Sequence, residues 1–334
     1  PDQSLTALDV IFVLSDLDAT YRLFGTAPET MRFRDDTTVG QMRMLVDLTP
    51  PASEPGWMKL GLQLDGFESL TQGSLITLAG PAMFMDDIPR GLDLQLESSY
   101  DRFGMEFSFA FQPIFSNELT MIALNSSNGG GSAATGFSNE EMSFDVSAQD
   151  VSVLLDMDEV EAPIAVTAAE TGLSLSIPVE AGDTPQEATA RINYTDIVLG
   201  EMAWAMFDPQ GAIPRDPASV ILDASAQIQV FLDLLSIDFE TMIAPPGELR
   251  GLDVEELRIT AGGAALTGAA DLSFAPGQFE PMPEGTASLQ LSGGEALLEA
   301  LVAAGLVDPT EGAFVTGFMN GFLEPGEEPD TLGA

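Results

Sequence analysis

The chain has 334 residues, 45% of them hydrophobic, with 53 acidic side chains against 11 basic ones, a formal net charge of −42, no cysteine and no histidine. That length exceeds one ordinary compact domain, and the charge repels phosphate backbones and anionic headgroups, so nucleic acid is excluded as a partner and so is membrane docking through basic residues. The missing residue types remove thiol nucleophiles, disulfides, Cys/His zinc sites and Ser-His-Asp triads together, and an acidic chain with one lysine, Lys59, suits salty surroundings where self-repulsion is screened.

The sequence opens at Pro1 without an initiator methionine, a charged n-region or an apolar h-region, so a removed signal peptide or a fragment is expected. Alternation then sets in. Met58, Leu60, Leu62 and Leu64 alternate with Lys59, Gly61 and Gln63, and Leu92, Leu94 and Leu96 with Asp93 and Gln95. Between them the most apolar stretch, residues 74–85, is too short and interrupted for a transmembrane helix. Residues 102–111, RFGMEFSFAF, place Phe103, Met105, Phe107, Phe109 and Phe111 on every second position. A two-residue period puts all five on one side of an extended strand. That side is to be covered by the rest of the protein, by a partner, or by a bound apolar molecule.

Residues 123–136, ALNSSNGGGSAATG, lack an apolar period and are rich in Gly and Ser, which marks a mobile loop or a boundary. They divide the chain into an N-terminal β-rich lobe, 1–135, and a C-terminal one, 136–334. Alternation returns in Met142, Phe144 and Val146, in Leu173, Leu175, Ile177 and Val179, in Ile228, Val230 and Leu232, and in Leu257 and Ile259. Gly262-Gly263 is placed to close a hairpin onto Leu266, Ala270, Leu272 and Phe274. Three prolines in residues 208–217, DPQGAIPRDP, forbid a regular central strand or helix there. Helical period is confined to the C-terminal region: Leu297, Leu298, Leu301 and Val302 predict a helix near 294–305, and Phe314, Val315, Phe318, Met319 and Phe322 a second near 311–323. The fold expected is mainly β, a long curved antiparallel meander with one apolar face and two short C-terminal helices.

Chemistry-bearing patterns are few. Asp35-Asp36, Asp86-Asp87, Asp156 with Asp158, and Glu255-Glu256 are pairs that 53 acidic residues produce by chance, and they read as solvated surface. Residues 156–161, DMDEVE, lack the glycine and distal glutamate of an EF-hand loop. No phosphate-cradling motif occurs, and the glycosylation triplets at Asn125 and Asn193 are too short to carry weight. No catalytic residue, metal site or cofactor is expected. What remains is the apolar side: Phe103 to Phe111, the methionines at 83, 85, 202 and 206, and Phe314, Phe318 and Phe322 suit either an ordinary core or a groove for an acyl chain.

Residues 202–227, MAWAMFDPQGAIPRDPASVILDASAQ, and 244–274, APPGELRGLDVEELRITAGGAALTGAADLSF, resemble the uncharacterised alpha-proteobacterial family known as domain of unknown function 2125. Trp204, Met206, Phe207, Asp208 and Pro209, then Pro214, Arg215, Asp216, Pro217 and Ala218, carry the resemblance, which extends over about residues 195 to 332. Family members typically carry a secretory signal, so it implies a periplasmic or secreted protein, and their greater length implies missing portions at both ends. The family has no established catalytic residue or ligand. Its strand-rich pattern is reminiscent, at the level of fold, of AsmA-like envelope proteins whose curved sheets hold lipid chains on an apolar inner face.

Trp204, Phe207, Asp208, Arg215 and Asp216 are assigned structural work. The prolines fix an extended crossing, and Arg215, a rare cation, is expected to pair with a carboxylate and tie that crossing down. The function expected is that of a non-enzymatic cell-envelope protein holding an acyl chain or lipid on the concave sheet face, with Phe103, Met105, Phe107, Phe109 and Phe111 as its lining. The alternative is a structural or assembly protein of the envelope with a protein partner; a carboxylate-based hydrolase stands third.

Overall fold

The structure is a computed structural model that describes residues 9–27, 30–48, 58–76, 93–111, 120–158, 160–234, 245–277, 282–322, 324–325 and 331–333. The expected apolar run over 74–85 and the methionines at 83 and 85 lie mostly outside these residues. The side chains of Phe109, Phe111, Phe318 and Phe322, and those of Asp35 and Asp36, lie outside them too.

The period-two segments form strands of one antiparallel sheet. In chain order these are β1 (Asp9–Ala27), β2 (Thr30–Leu48), β3 (Met58–Ile76), β4 (Asp93–Tyr100), β5 (Arg102–Phe111), β6 (Thr120–Asn128), β7 (Gly130–Ser138) and β8 (Glu141–Met157). There follow β9 (Ile164–Pro178), β10 (Gln186–Leu199), α1 (Glu201–Phe207), β11 (Ala218–Val230), β12 (Gly247–Ala261), β13 (Ala264–Phe274) and β14 (Pro283–Ser292). The chain then runs through α2 (Gly294–Ala303), α3 (Pro309–Phe322), β15 (Glu324–Pro325) and β16 (Thr331–Gly333). Strand order is β1-β2-β3-β4-β7-β8 and onward in sequence to β14, closed by β16 and β15. The long strands β3 and β8 are bridged twice, by β4 and β7 at one end and by β5 and β6 at the other. The molecule is therefore a meander, as the alternation predicts, with its two helical runs at Gly294–Ala303 and Pro309–Phe322.

Residues 123–136, expected as a loop, are strand instead. They make up most of β6 and β7, and the division expected at 135/136 falls inside β7. The physical reason lies in their neighbours. β7 is hydrogen-bonded to β4 on one side and to β8 on the other, so the ladder supplies the order that Gly and Ser do not. The small residues also make room: the Tyr100 hydroxyl stands where a side chain at Gly131 would have to go, 2.4 Å from that Cβ position.

Between β3 and β10 the pairing is interrupted at one common level. Pairing breaks between Asp65 and Glu68, between Tyr100 and Phe103, between Asn128 and Gly131, at Asp150 and at Asp196. Gly66, Asp150 and Asp196 there adopt φ of 63°, 50° and 51°. The seam stays hydrogen-bonded, by the Asp101 N–H to the Asp65 carbonyl at 2.9 Å and the Gly129 N–H to the Gln149 carbonyl at 2.8 Å. A residue out of alternation at this level would throw the pattern onto the wrong side, yet the apolar residues change from even to odd positions at the same point: Leu94 and Leu96 before it, Phe103 and Met105 after. Tyr100 and Phe103 meet across it with ring centroids 6.3 Å apart. One side of the sheet thus stays predominantly apolar from β3 to β14 among the described residues.

Candidate functional site: the uncovered apolar face

The apolar side is built by register. Val146, Leu173, Ile192, Leu222 and Leu257 stand opposite one another in turn across β8 to β12. One step along the strands, Phe144, Leu175, Ala190, Ala224, Val254, Ala270 and Ala287 do the same across β8 to β14. Beyond the seam, Leu62, Met105, Ser126, Val153 and Val166 form a matching row, and Leu60, Phe107, Leu124, Leu155 and Ile164 another. Directly opposed residues share a face of the sheet, with Cβ atoms about 5 Å apart, so three of the rows are continuous apolar bands and the fourth is interrupted by Ser126 alone.

The opposite side is polar. The Arg191 Nε donates to both carboxylate oxygens of Asp223 at 3.0 Å, the Asn193 amide donates to Glu170 at 3.0 Å, and Ser132 and Ser147 hydroxyls pair at 2.8 Å. Asp223 in turn holds the Arg191 guanidinium above its ordinary pKa, through that hydrogen bond first and its charge second.

What covers the apolar side is little. Among the described elements, only α1 on β9 and α2 on β13 pack appreciably against the sheet. Phe144 and Leu175 are each 42% exposed and Leu173 38%, while Phe103, Met105 and Phe107 are half-buried. The buried hydrophobic residues among those described are seven, and three of them, Ala203, Trp204 and Ile213, belong to α1 and the segment after it. The structure brings Phe103, Met105 and Phe107 onto one face beside Leu60, Leu62 and Leu64 of β3. The signal that extends this face to Phe144, Leu173 and Leu175 is the same alternation, visible in the sequence but without any indication of cover.

The five residues given structural work lie elsewhere, at one end of the sheet. Helix α1 carries Trp204 inward, with its ring 5.0 Å from that of Phe207. Asp208 follows, wholly buried, and its two carboxylate oxygens accept the backbone N–H groups of Ala212 and Ile213 at 2.9 Å each. The Ile213 N–H above all, then that of Ala212 and the charge of Arg215, hold the Asp208 carboxyl below the usual aspartate range against the opposing effect of burial. Arg215 lies over the Trp204 ring at 5.7 Å and pairs with Glu201 in the first turn of α1, while Asp216 is exposed. Three prolines and a buried carboxylate thus bring the 208–217 crossing back to α1, where Arg215 meets Trp204 and Glu201.

No helix among the described residues is long and apolar enough to cross a membrane, a statement that concerns helices alone. A family model described as "Uncharacterized protein conserved in bacteria (DUF2125)" matches residues 76–332, a span that contains both the apolar rows from β4 to β14 and the Trp204 crossing. Nothing among curated proteins or solved structures matches the chain.

Proposed function

The chain belongs to the DUF2125 family of uncharacterised bacterial proteins, and from that premise we propose that it is a non-enzymatic protein of the cell envelope, periplasmic or secreted, that holds an acyl chain or lipid against the apolar face of its sheet. The carrying observation is that this predominantly apolar face runs over β3 to β14 with almost nothing packed on it among the described elements. A Leu or Phe left half-exposed leaves roughly 1 kcal/mol of transfer free energy unrealised. Two rows of such side chains therefore offer a flexible apolar guest on the order of 10 kcal/mol before the guest's own ordering is subtracted. Phe, Leu and Met side chains with no polar partner to satisfy suit an occupant defined by greasiness rather than by hydrogen bonds.

The location rests on the resemblance, whose members carry secretory signals. A protein purified from bacterial envelope, washed, extracted with organic solvent and analysed by lipid mass spectrometry is expected to release one class of lipid in near-stoichiometric amount. A clean extract from a monodisperse protein overturns the proposal.

A second reading, a structural or assembly protein of the envelope, draws on β14. Its residues Pro283–Gln290 are all exposed, and β16 pairs only with Gln290–Ser292, which leaves a strand edge suited to another chain among the described residues. Pull-down from envelope extracts separates the two.

A further inference from the structure

We propose that the guest of the sheet face is an acyl chain with a hydroxyl at mid-chain, and that the seam holds this hydroxyl. The proposal rests on the ligand reading above and narrows it. The rows on either side of the seam set no condition beyond apolarity, but the row at the seam does. Tyr100, Gly131, Ala148, Thr171 and Tyr194 stand opposite one another in turn across β4, β7, β8, β9 and β10. They lie one step along the strands from Val146, Leu173 and Ile192, on the same side of the sheet. Three of the five carry a hydroxyl. Across the interruption, Phe103 meets the Tyr100 ring and stands directly opposite Asn128 of β6, which puts the Asn128 amide on the apolar side too. Its Oδ1 is buried and accepts no hydrogen bond among the described residues.

Buried amide oxygens nearly always have a donor, because burial takes their water away and an unanswered one is costly. Asn128 is also a departure from its own strand, where Ile122 and Leu124 occupy the same side. The occupant that answers it must therefore bring a hydrogen-bond donor into an apolar surrounding. A guest laid along the strands has Leu173 and Leu175 on one side of the seam row and Val153 and Leu155 on the other, so its polar group falls in the middle of the chain and not at its end. A hydroxyl fits this place: it donates to the Asn128 oxygen and also accepts from tyrosine and threonine hydroxyls. Tyr194, 37% exposed, and the half-buried Thr171 are open to such a guest. No charged side chain stands in the row, so a carboxylate or an ammonium there would lose its water with no opposite charge facing it. The net charge of −42 adds repulsion against an anion.

The test offers the whole, lipid-stripped protein an equimolar mixture of methyl stearate and a methyl hydroxystearate with its hydroxyl at mid-chain, and reads the bound ratio by mass spectrometry. Wild type is expected to retain the hydroxy ester over the plain one by roughly fivefold or more. Asn128→Leu is expected to bring the ratio close to one with uptake of methyl stearate undiminished. When stripped it is expected to melt no lower than wild type, since it removes an unanswered buried oxygen. Thr171→Val, which keeps the branched shape and drops the hydroxyl, is expected to narrow the ratio with an unchanged circular dichroism spectrum. Equal retention of the two esters by wild type overturns the proposal and leaves the ligand reading standing. So does a ratio unchanged in Asn128→Leu or, should that variant not fold, in Thr171→Val. Stearylamine that displaces the hydroxy ester more readily than methyl stearate does also overturns it, since a cation is then the group sought. Retention of neither ester overturns the proposal and the ligand reading together.

Discussion

Asp208 is the residue on which the Trp204 crossing closes. Its carboxylate sits with no exposure and answers two backbone N–H groups of a proline-bounded loop, groups that burial would otherwise leave unsatisfied. Its folded pKa is lowered, chiefly by the Ile213 N–H, below an unfolded value of about 3.9. The contribution to stability is therefore complete above about pH 5 and is lost as pH falls through the folded value. Thermal unfolding followed from neutral pH to about pH 2 is expected to find Asp208→Asn less stable than wild type at neutrality, with the two curves converging in acid. Parallel curves would remove the carboxylate's charge from the account. Arg215 acts on the same crossing from outside. Its side chain is 37% exposed beside Glu201, with the guanidinium carbon 5.7 Å from the centre of the Trp204 ring, so solvent screening limits the pair and Arg215→Lys, which keeps the charge and gives up the guanidinium over the ring, should lower the urea-derived stability by about 1 kcal/mol or less.

At the scale of elements, the seam between β3 and β10 decides the architecture. Left-handed backbone is strained for most side chains, and Gly66 has a second constraint: the Asp101 Oδ2 stands 2.1 Å from where its Cβ would be. Gly66→Ala is expected to cost about 1–3 kcal/mol in chemical denaturation. Asp150, at φ 50°, is a residue type that tolerates this region. Asp150→Gly should stay within about 1 kcal/mol of wild type, while Asp150→Val, β-branched, should cost about 1–3 kcal/mol. Equal effects of the two would mean that backbone strain does not govern the seam. The strands themselves were legible, because Phe103 to Phe111 or Leu173 to Ile177 alternate without interruption. So were α2 and α3, whose apolar residues recur at helical spacing. The seam was hidden by its own mechanism: at the interruption the apolar residues exchange even for odd positions, so a window laid across Asn128 to Gly131 finds no period and reads a pair of strands as a loop. Cover was not legible at all, since Leu175 in a packed core and Leu175 on an open face have the same neighbours in sequence.

For the whole molecule, two quantities set behaviour: a net charge of −42 and a sheet face with few covering atoms. Self-repulsion among like charges opposes the folded state and is screened over about 10 Å at 0.1 M salt. The urea midpoint should therefore rise steadily as sodium chloride increases from low to molar concentration; a flat response would show that the acidic surface is already neutralised by local pairing. The open face makes a sharper separation possible. In a packed core, replacing a leucine by a small residue costs about 2–5 kcal/mol. Leu173 and Leu175 are 38% and 42% exposed, so much of that penalty is absent when the face is empty, and Leu175→Ser in lipid-stripped protein should cost well under about 2 kcal/mol. With ligand bound, the same substitution removes a contact made only in the complex, and lipid recovered by mass spectrometry should fall while the stripped protein's stability hardly changes. A loss of stability of core magnitude in the stripped protein, with lipid content unaltered, would mean that the side chain is covered by protein in solution and that the face is an interior.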